Sequence, residues 1–351
     1  MSFETGTTIM ASWQPEMAED TATSSYWLNW RVLVCTTWLL ISMVFASFLI
    51  SRYEGSRRRS SDDDDDRPGR ECKEKGPGVL YEDEAWRPCL KGMHPVWLLG
   101  FRVGSFFVLL VLLTVNAIVD GGSIFYYYTQ WTFTLVTIYF GLGSVLSIYG
   151  CYAHRNKVVG ERADIELVDS RQHSLANGRG SNAAKDGLKL NQLHQDRRIA
   201  GFWGYAFQII FQINAGAVLL TDCVFWFIIV PFLTTTTRNY GLNFFMVNMH
   251  SVNIVFLLGD TVLNSLRFPW FRIAYFFLWT TFYVIFQWIL HACISIWWPY
   301  PFLDLSASLV PLWYATVGMM HFPCYGMFIL VIQIKQCLLS RYFPESYEQM
   351  R

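Results

Sequence analysis

The sequence has little charge and few polar stretches, which excludes most soluble folds. Asp, Glu, Lys and Arg make up only 15% of the 351 residues, whereas 53% of the residues are hydrophobic. Soluble domains carry about 25% charged residues. The composition therefore predicts a polytopic membrane protein, in which a formal net charge of zero conceals a strong segregation of charge into loops.

Several common chemical signatures are absent. The eight cysteines form no CxxC pair and lie mostly in or beside apolar segments, so we expect neither a disulfide framework nor a metal site. No GxSxG, HExxH or phosphate-binding loop is present. The first 30 residues hold four acidic residues and no Lys or Arg, unlike the basic start of a cleavable signal peptide. We accordingly predict no cofactor, no bound metal and no nucleic-acid partner.

Seven apolar runs are each long enough to cross the hydrocarbon core, which takes about 20 helical residues. The fold class is therefore predicted to be all-α, a polytopic transmembrane helix bundle. An extra first helix precedes a six-helix bundle over residues 96–337. In chain order the predicted helices are 32–50, 96–119, 131–152, 200–233, 243–265, 271–296 and 309–337.

The distribution of basic residues predicts the orientation of these helices. Of the 27 Lys and Arg residues, 10 lie in the segment 51–95 and nine in the segment 153–199. Cytoplasmic loops carry such an excess. The residues 1–31 are then non-cytosolic, and the tail 338–351 is cytosolic. We expect an integral multi-pass protein of the plasma membrane or of the endoplasmic reticulum and other endomembranes.

The two basic segments are also predicted to be disordered, although the end of the first, with Trp86–Cys89 and His94–Trp97, is expected to be more ordered than its middle. The segment 51–95 contains five consecutive aspartates, Asp62–Asp66, and the segment 153–199 is rich in Gly, Asn, Lys and Arg. Charge blocks of this kind are usually solvated. The alternative is that both segments dock cytosolic protein partners.

The fifth and sixth helices carry buried polar stripes. Because a helix turns 100° per residue, the polar groups of each helix fall on one face. Polar groups at such depth usually face a bundle interior, so we expect the two arms of this hairpin to face each other or a shared cavity. We expect Asp260 to pair with Arg102, Arg267 or a neighbouring helix. The stripes are Asn243, His250, Asn253, Asp260 and Asn264 on the fifth helix, and Thr280, Gln287 and His291 on the sixth.

Three groups able to do chemistry are predicted to lie in one layer near the outer leaflet. They are Thr132, His250 and His291, with Asp222 in the same half of the membrane. An imidazole can remove the proton of a threonine hydroxyl, and such a pair could attack the ester of an amphipathic lipid. The alternative is structural, since a buried histidine often bonds a neighbouring helix and a threonine often caps a helix start.

Four short motifs occur in the order and spacing of a known family. They are Gln130–Phe133, Asn248–His250, Trp288–His291 and Trp298–Asp304. Over about residues 100–335 the chain resembles the androgen-induced gene 1 / FAR-17a-like family of multi-pass threonine hydrolases, which cleave fatty acid esters of hydroxy fatty acids. The resemblance implies that Thr132 is the nucleophile and His250 its histidine partner. It leaves the role of His291 open.

A second resemblance covers the whole chain. With Trp86–Cys89 and His94–Trp97, the sequence is similar to the Rolling stone-like membrane proteins, for which no chemistry is assigned. This implies the alternative of a non-enzymatic protein of adhesion, fusion or scaffolding. A transporter is a third possibility, with Asp222, Asp260 and His321 along its path.

These observations define the candidate site. Thr132 and His250 are the candidate catalytic residues of a hydrolase whose partners are membrane lipids. Four further polar residues are candidates for supporting roles in the site: His291, Asn253, Gln287 and Asp222.

The topology yields a direct prediction. An epitope inserted near Asn177, in the basic segment 153–199, should be reached by antibody only after the plasma membrane is permeabilised, because that segment is predicted to be cytosolic. Immunofluorescence with and without permeabilisation measures this. Antibody access on intact cells would refute the orientation.

Overall fold

The structure confirms an all-α bundle of seven long apolar helices. The computed structural model describes residues 21–54, 78–175, 198–231 and 244–347, without the side chains of 157, 161–175, 228 and 244–245. In those ranges seven helices have the length and hydropathy of membrane spans. They are α1 Trp30–Tyr53, α2 Pro95–Asp120, α3 Tyr128–Leu175, α4 Phe202–Val224, α5 Phe244–Leu263, α6 Ile273–Cys293 and α7 Val310–Tyr342.

The helix boundaries follow local sequence signals. Pro95 occupies the first turn of α2, where its missing N–H costs nothing, and the His94 side chain accepts a hydrogen bond from the Val96 amide. Gly121 ends the same helix with a φ of 74°, a conformation that glycine adopts without strain. A π-helical turn, Phe225–Ile229, extends α4.

The helices connect two faces of the bundle. We call the face formed by residues 21–29, 121–127 and 294–309 the outer face, following the predicted orientation. The face formed by residues 78–94 and 264–272 is the inner face. Predictions for 1–20, Asp62–Asp66, 176–197, Asn243 and 348–351 concern residues outside the described ranges.

The helix α4 is the centre of the bundle and packs against α3, α5, α6 and α7. Its middle turns present small residues, Ala215, Gly216 and Ala217, all buried. A Cβ on Gly216 would lie 2.3 Å from a ring atom of Phe276, so α6 packs directly on the α4 backbone. Small residues allow this close approach between membrane helices.

The predicted hairpin of α5 and α6 is wrong as a packing unit. The helix α5 packs with α2, α3 and α4, whereas α6 packs with α1, α4 and α7. The central helix therefore separates the two polar stripes, and each stripe finds different partners. Hydropathy and loop length had identified two spans but not their neighbours.

The helix α1 packs on α6 and α7 and is held at both ends. At the outer end the Tyr26 hydroxyl donates to Asp304 at 2.6 Å and accepts from the Leu305 amide at 3.0 Å. Burial and the Asp304 carboxylate raise the pKa of Tyr26 above its ordinary value, so the phenol stays a donor. At the inner end Arg272 pairs with Glu54 at 2.7 Å.

The inner face is partly covered by an ordered segment, residues 78–94. Its backbone pairs with three other segments through the bridges Tyr81–Ile199, Pro88–Asn264 and Leu90–Tyr347. The prediction of disorder then concerns the middle of 51–95, residues 55–77, which lie outside the described ranges. The segment 78–94 is ordered because of its apolar content, since Leu80 and Ala85 are buried against the bundle.

The helix α3 also continues past the predicted loop boundary at 153, as far as Leu175. The prediction of disorder over 153–199 stays a prediction for residues 176–197, which lie outside the described ranges. Residues 153–175 contain many good helix formers, including Arg, Glu, Ala and Leu, and no proline. Favourable helix propensity allows a charged segment to extend the span beyond the membrane.

A buried ion pair ties three helices together near the inner face. Arg102 Nε on α2 lies 2.7 Å from Asp260 Oδ1 on α5, and both side chains are fully buried. Tyr139 on α3 donates to Asp260 as well, and so does Asn264 at 2.8 Å. The predicted pairing of Asp260 with Arg102 is confirmed. With its acceptor sites filled, this carboxylate has a structural role.

We expect Asp260→Asn to lower stability strongly, because it leaves the Arg102 charge buried without a counter-charge. Breaking one partner of a buried pair costs about 3–5 kcal/mol. The thermal unfolding midpoint of the purified protein in detergent measures the loss. Asp83→Asn is the matched control, since the Asp83–Arg87 pair is partly exposed and such pairs contribute about 0–1 kcal/mol. Equal midpoints for the two variants would contradict a structural role.

Candidate functional site in the outer half of the bundle

One contact sets the relative depth of the two predicted catalytic residues. The Gln130 side-chain amide on α3 donates to the Met249 sulfur on α5. Both helices run inward from the outer face, and each residue adds about 1.5 Å of depth. Thr132 and His250 follow this contact by two residues and one residue, so they lie at a similar depth.

The imidazole of His250 is held by groups from α4. Its Nδ1 lies 3.4 Å from Asp222 Oδ1, and its ring stacks on Phe225 at a centroid distance of 3.8 Å. Phe225 begins the π-helical turn that follows α4, so the change of helix type presents this ring to His250. When the carboxylate accepts the Nδ1 proton, the Nε2 lone pair is free to act as a base.

Thr132 is fully buried one turn inside α3. No hydrogen bond between its Oγ1 and the backbone is found among the described residues, and the Tyr128 hydroxyl one turn earlier is its polar neighbour. Most buried hydroxyls in membrane helices bond to a carbonyl of their own helix, as Thr137 does with Phe133 at 2.9 Å. The Thr132 hydroxyl is thus buried and makes no hydrogen bond to the backbone.

The structure brings His250 and Asp222 into contact, but it contains no hydrogen bond between Thr132 and His250 in the described ranges. The two residues share a depth and occupy neighbouring helices. Their convergence in one cavity stays a prediction.

Further buried polar side chains surround the contact between α3 and α5. Asn116 on α2 donates to the Met249 sulfur, and Asn253 donates to the Met249 carbonyl at 3.0 Å. The side-chain oxygens of Asn116, Gln130 and Asn253 have no partner among the described residues. These three buried oxygens around Met249 could accept hydrogen bonds from a bound group. Such a donor would be bound strongly, because leaving a buried acceptor without a hydrogen bond is costly.

His291 and Gln287 belong to a different part of the outer face. His291 Nδ1 donates to the Gln287 carbonyl at 2.7 Å, and the ring stacks on Trp298 at 3.6 Å. Gln287 donates to the Tyr126 carbonyl at 2.7 Å. Through these contacts both side chains connect the outer end of α6 to the outer loops. The structure does not bring either of them into contact with His250.

Sequence reasoning missed Asn116, Gln130 and Met249 as members of this layer. Asn116 and Gln130 are polar residues in or beside apolar runs, which is a detectable signal of burial. Methionine carries no such signal, since it is common in any apolar helix. In the described part of the chain, no three His, Cys, Asp or Glu side chains are placed to hold a metal ion.

Comparison of the chain with protein-family models, with curated proteins and with solved structures returned no match. The class of the protein therefore rests on its own architecture. Seven apolar membrane-length helices, with most charge confined to their ends, define an integral multi-pass membrane protein.

Proposed function

We propose that this protein is a membrane-embedded hydrolase of lipid esters, with Thr132 as nucleophile and His250 as general base. The observation that carries the proposal is the Asp222–His250 pair, at a depth similar to that of a buried Thr132 hydroxyl that makes no bond to the backbone. A base held by a carboxylate beside a hydroxyl nucleophile is the arrangement that acyl transfer needs.

The proposed chemistry has two steps. The Thr132 oxygen attacks the ester carbonyl carbon while its proton passes to His250 Nε2, and the alcohol leaves with that proton. Water then attacks the acyl-threonine, giving a proton to His250 that returns to Thr132 as the acid leaves. Asp222 stabilises the imidazolium in both steps. Catalytic hydrogen bonds are often long or poorly aligned without substrate, so we expect the Thr132–His250 hydrogen bond to form when the ester is bound.

The sequence motifs around Thr132 and His250 support the choice of substrate. They resemble those of threonine hydrolases that cleave fatty acid esters of hydroxy fatty acids. Substrates of this class are membrane lipids, so no soluble partner is required. The plasma membrane or an endomembrane is the proposed location.

The rival function is a non-enzymatic membrane protein. Its support is that Asp222 and His250 join α4 to α5, as a purely structural pair would. A transporter has less support, because Asp260 is paired with Arg102 and His321 with Thr280, in separate groups of contacts.

We expect Thr132→Val to lower turnover of a fatty acid ester of a hydroxy fatty acid by at least about 100-fold, because the variant lacks the nucleophile. Thr132→Ser should retain activity. Asp222→Asn should reduce turnover less, since the base remains. The measurement is ester hydrolysis by purified protein in detergent, followed by mass spectrometry of the released acid.

Thr137→Val is the matched control, because Thr137 lies on the same helix, is buried and bonds only its own backbone. The double variant Thr132→Val with His250→Gln should be no worse than either single variant, as expected for residues that act as one unit. Wild-type activity in Thr132→Val would remove the proposal in favour of the non-enzymatic function.

A further inference from the structure

A cavity of about 70 Å³ lies between α1, α6 and α7. Its walls are mostly apolar and include Trp38, Leu39, Phe277, Phe302, Trp313 and Val317. Trp38 and Trp313 are partly exposed on the surface of the bundle, so the cavity communicates with the surrounding lipid. Thr280 and His321 supply polar groups deep in this cavity.

These two residues form a nucleophile–base hydrogen bond. His321 Nε2 lies 2.8 Å from Thr280 Oγ1, and His321 Nδ1 lies 2.8 Å from the Val317 carbonyl. A carbonyl only accepts, so Nδ1 carries the ring proton and Nε2 offers its lone pair. Thr280 is then the donor to His321, which is the geometry that activates a hydroxyl.

The hydroxyl of Thr280 lies closer to His321 than to the carbonyl of its own helix. Six other described threonines bond the carbonyl four residues earlier at 2.6–2.9 Å: Thr36, Thr37, Thr114, Thr137, Thr261 and Thr316. Thr280 lies 3.3 Å from the corresponding Phe276 carbonyl, farther than from His321. A threonine whose hydroxyl only needed a hydrogen-bond partner would make the shorter bond to the carbonyl four residues earlier.

The surroundings hold this pair in place. The His321 ring lies against Phe276 and Phe277, at centroid distances of 4.2 and 4.5 Å. The Tyr128 hydroxyl lies 2.9 Å from Thr280 Oγ1, and since Thr280 donates to His321, Tyr128 donates to Thr280. That second donor would stabilise negative charge on the oxygen. Thr280 is half-buried at the cavity, whereas Thr132 is fully enclosed.

We propose that Thr280 and His321 form a second esterase site, which acts on uncharged esters with an apolar chain on both sides, such as wax esters. The walls of the cavity are mostly apolar, and the described residues that line it include no Asp, Glu, Lys or Arg side chain. An ester without a charged headgroup therefore fits this site.

The reaction balances with water as the only co-reactant. The Thr280 oxygen bonds to the carbonyl carbon, its proton moves to His321 Nε2, and the alcohol departs with that proton as the ester C–O bond breaks. Water attacks the resulting acyl-threonine and transfers a proton to His321. The fatty acid then leaves, and the Thr280 oxygen recovers the proton.

The first test is hydrolysis of palmityl oleate by the full-length protein in detergent. We expect Thr280→Val and His321→Gln to lower turnover by at least about 100-fold, and Thr280→Ser to restore a measurable rate. Thr316→Val is the matched control, because Thr316 lies on α7, is exposed and bonds only its own backbone. Hydrolysis that Thr280→Val leaves unchanged, or no hydrolysis by wild type, would overturn the inference.

The second test does not depend on the folding of any variant. Wild-type protein is treated with a long-chain alkyl fluorophosphonate, in which the activated oxygen bonds to phosphorus and fluoride leaves. Peptide mass spectrometry should locate the adduct on Thr280. An adduct on Thr132 alone would support the proposed function and refute the second site. An adduct on Thr280 alone would support the second site and count against Thr132, so the two failures are distinguishable.

Discussion

Close packing around α4 is the constraint on which the other helix positions depend. Because Gly216 lets α6 rest on the α4 backbone, the polar side chains of α4 reach its neighbours at three depths. Gln208 meets the Arg267 carbonyl near the inner face, Asn214 meets the Leu135 carbonyl midway, and Asp222 meets His250 near the outer face. In hydrocarbon no water replaces such partners, so these contacts select one arrangement of the bundle.

The sequence was sufficient to predict the helices, because the membrane imposes a length and a hydropathy that each span must meet on its own. The pairing of Asp260 with Arg102 was also predictable, since a buried carboxylate needs a cation and few are available. The neighbours of α5 and α6 were not. Which helices touch is decided by side-chain shape, such as the fit of Phe276 against Gly216, and a single sequence does not display that fit.

The candidate site was predictable only residue by residue. His250 and Asp222 could be named because polar groups within apolar helices are conspicuous, and the structure places them in contact. Thr280 and His321 were equally visible, yet they were assigned to separate roles. Their pairing depends on α6 and α7 meeting at one register, which follows from packing on α4 and α1. The sequence therefore indicated which side chains could take part in chemistry, but it did not indicate which of them lie close together.

The position of α1 has a consequence for how the chain is assembled. Of the seven described spans α1 comes first along the chain, but its neighbours α6 and α7 come last. Glu54 and Tyr26 therefore lack the partners Arg272 and Asp304 until the last spans have been synthesised. Because α1, α6 and α7 together line the cavity around Thr280, that cavity is complete only once the first and the last spans have met.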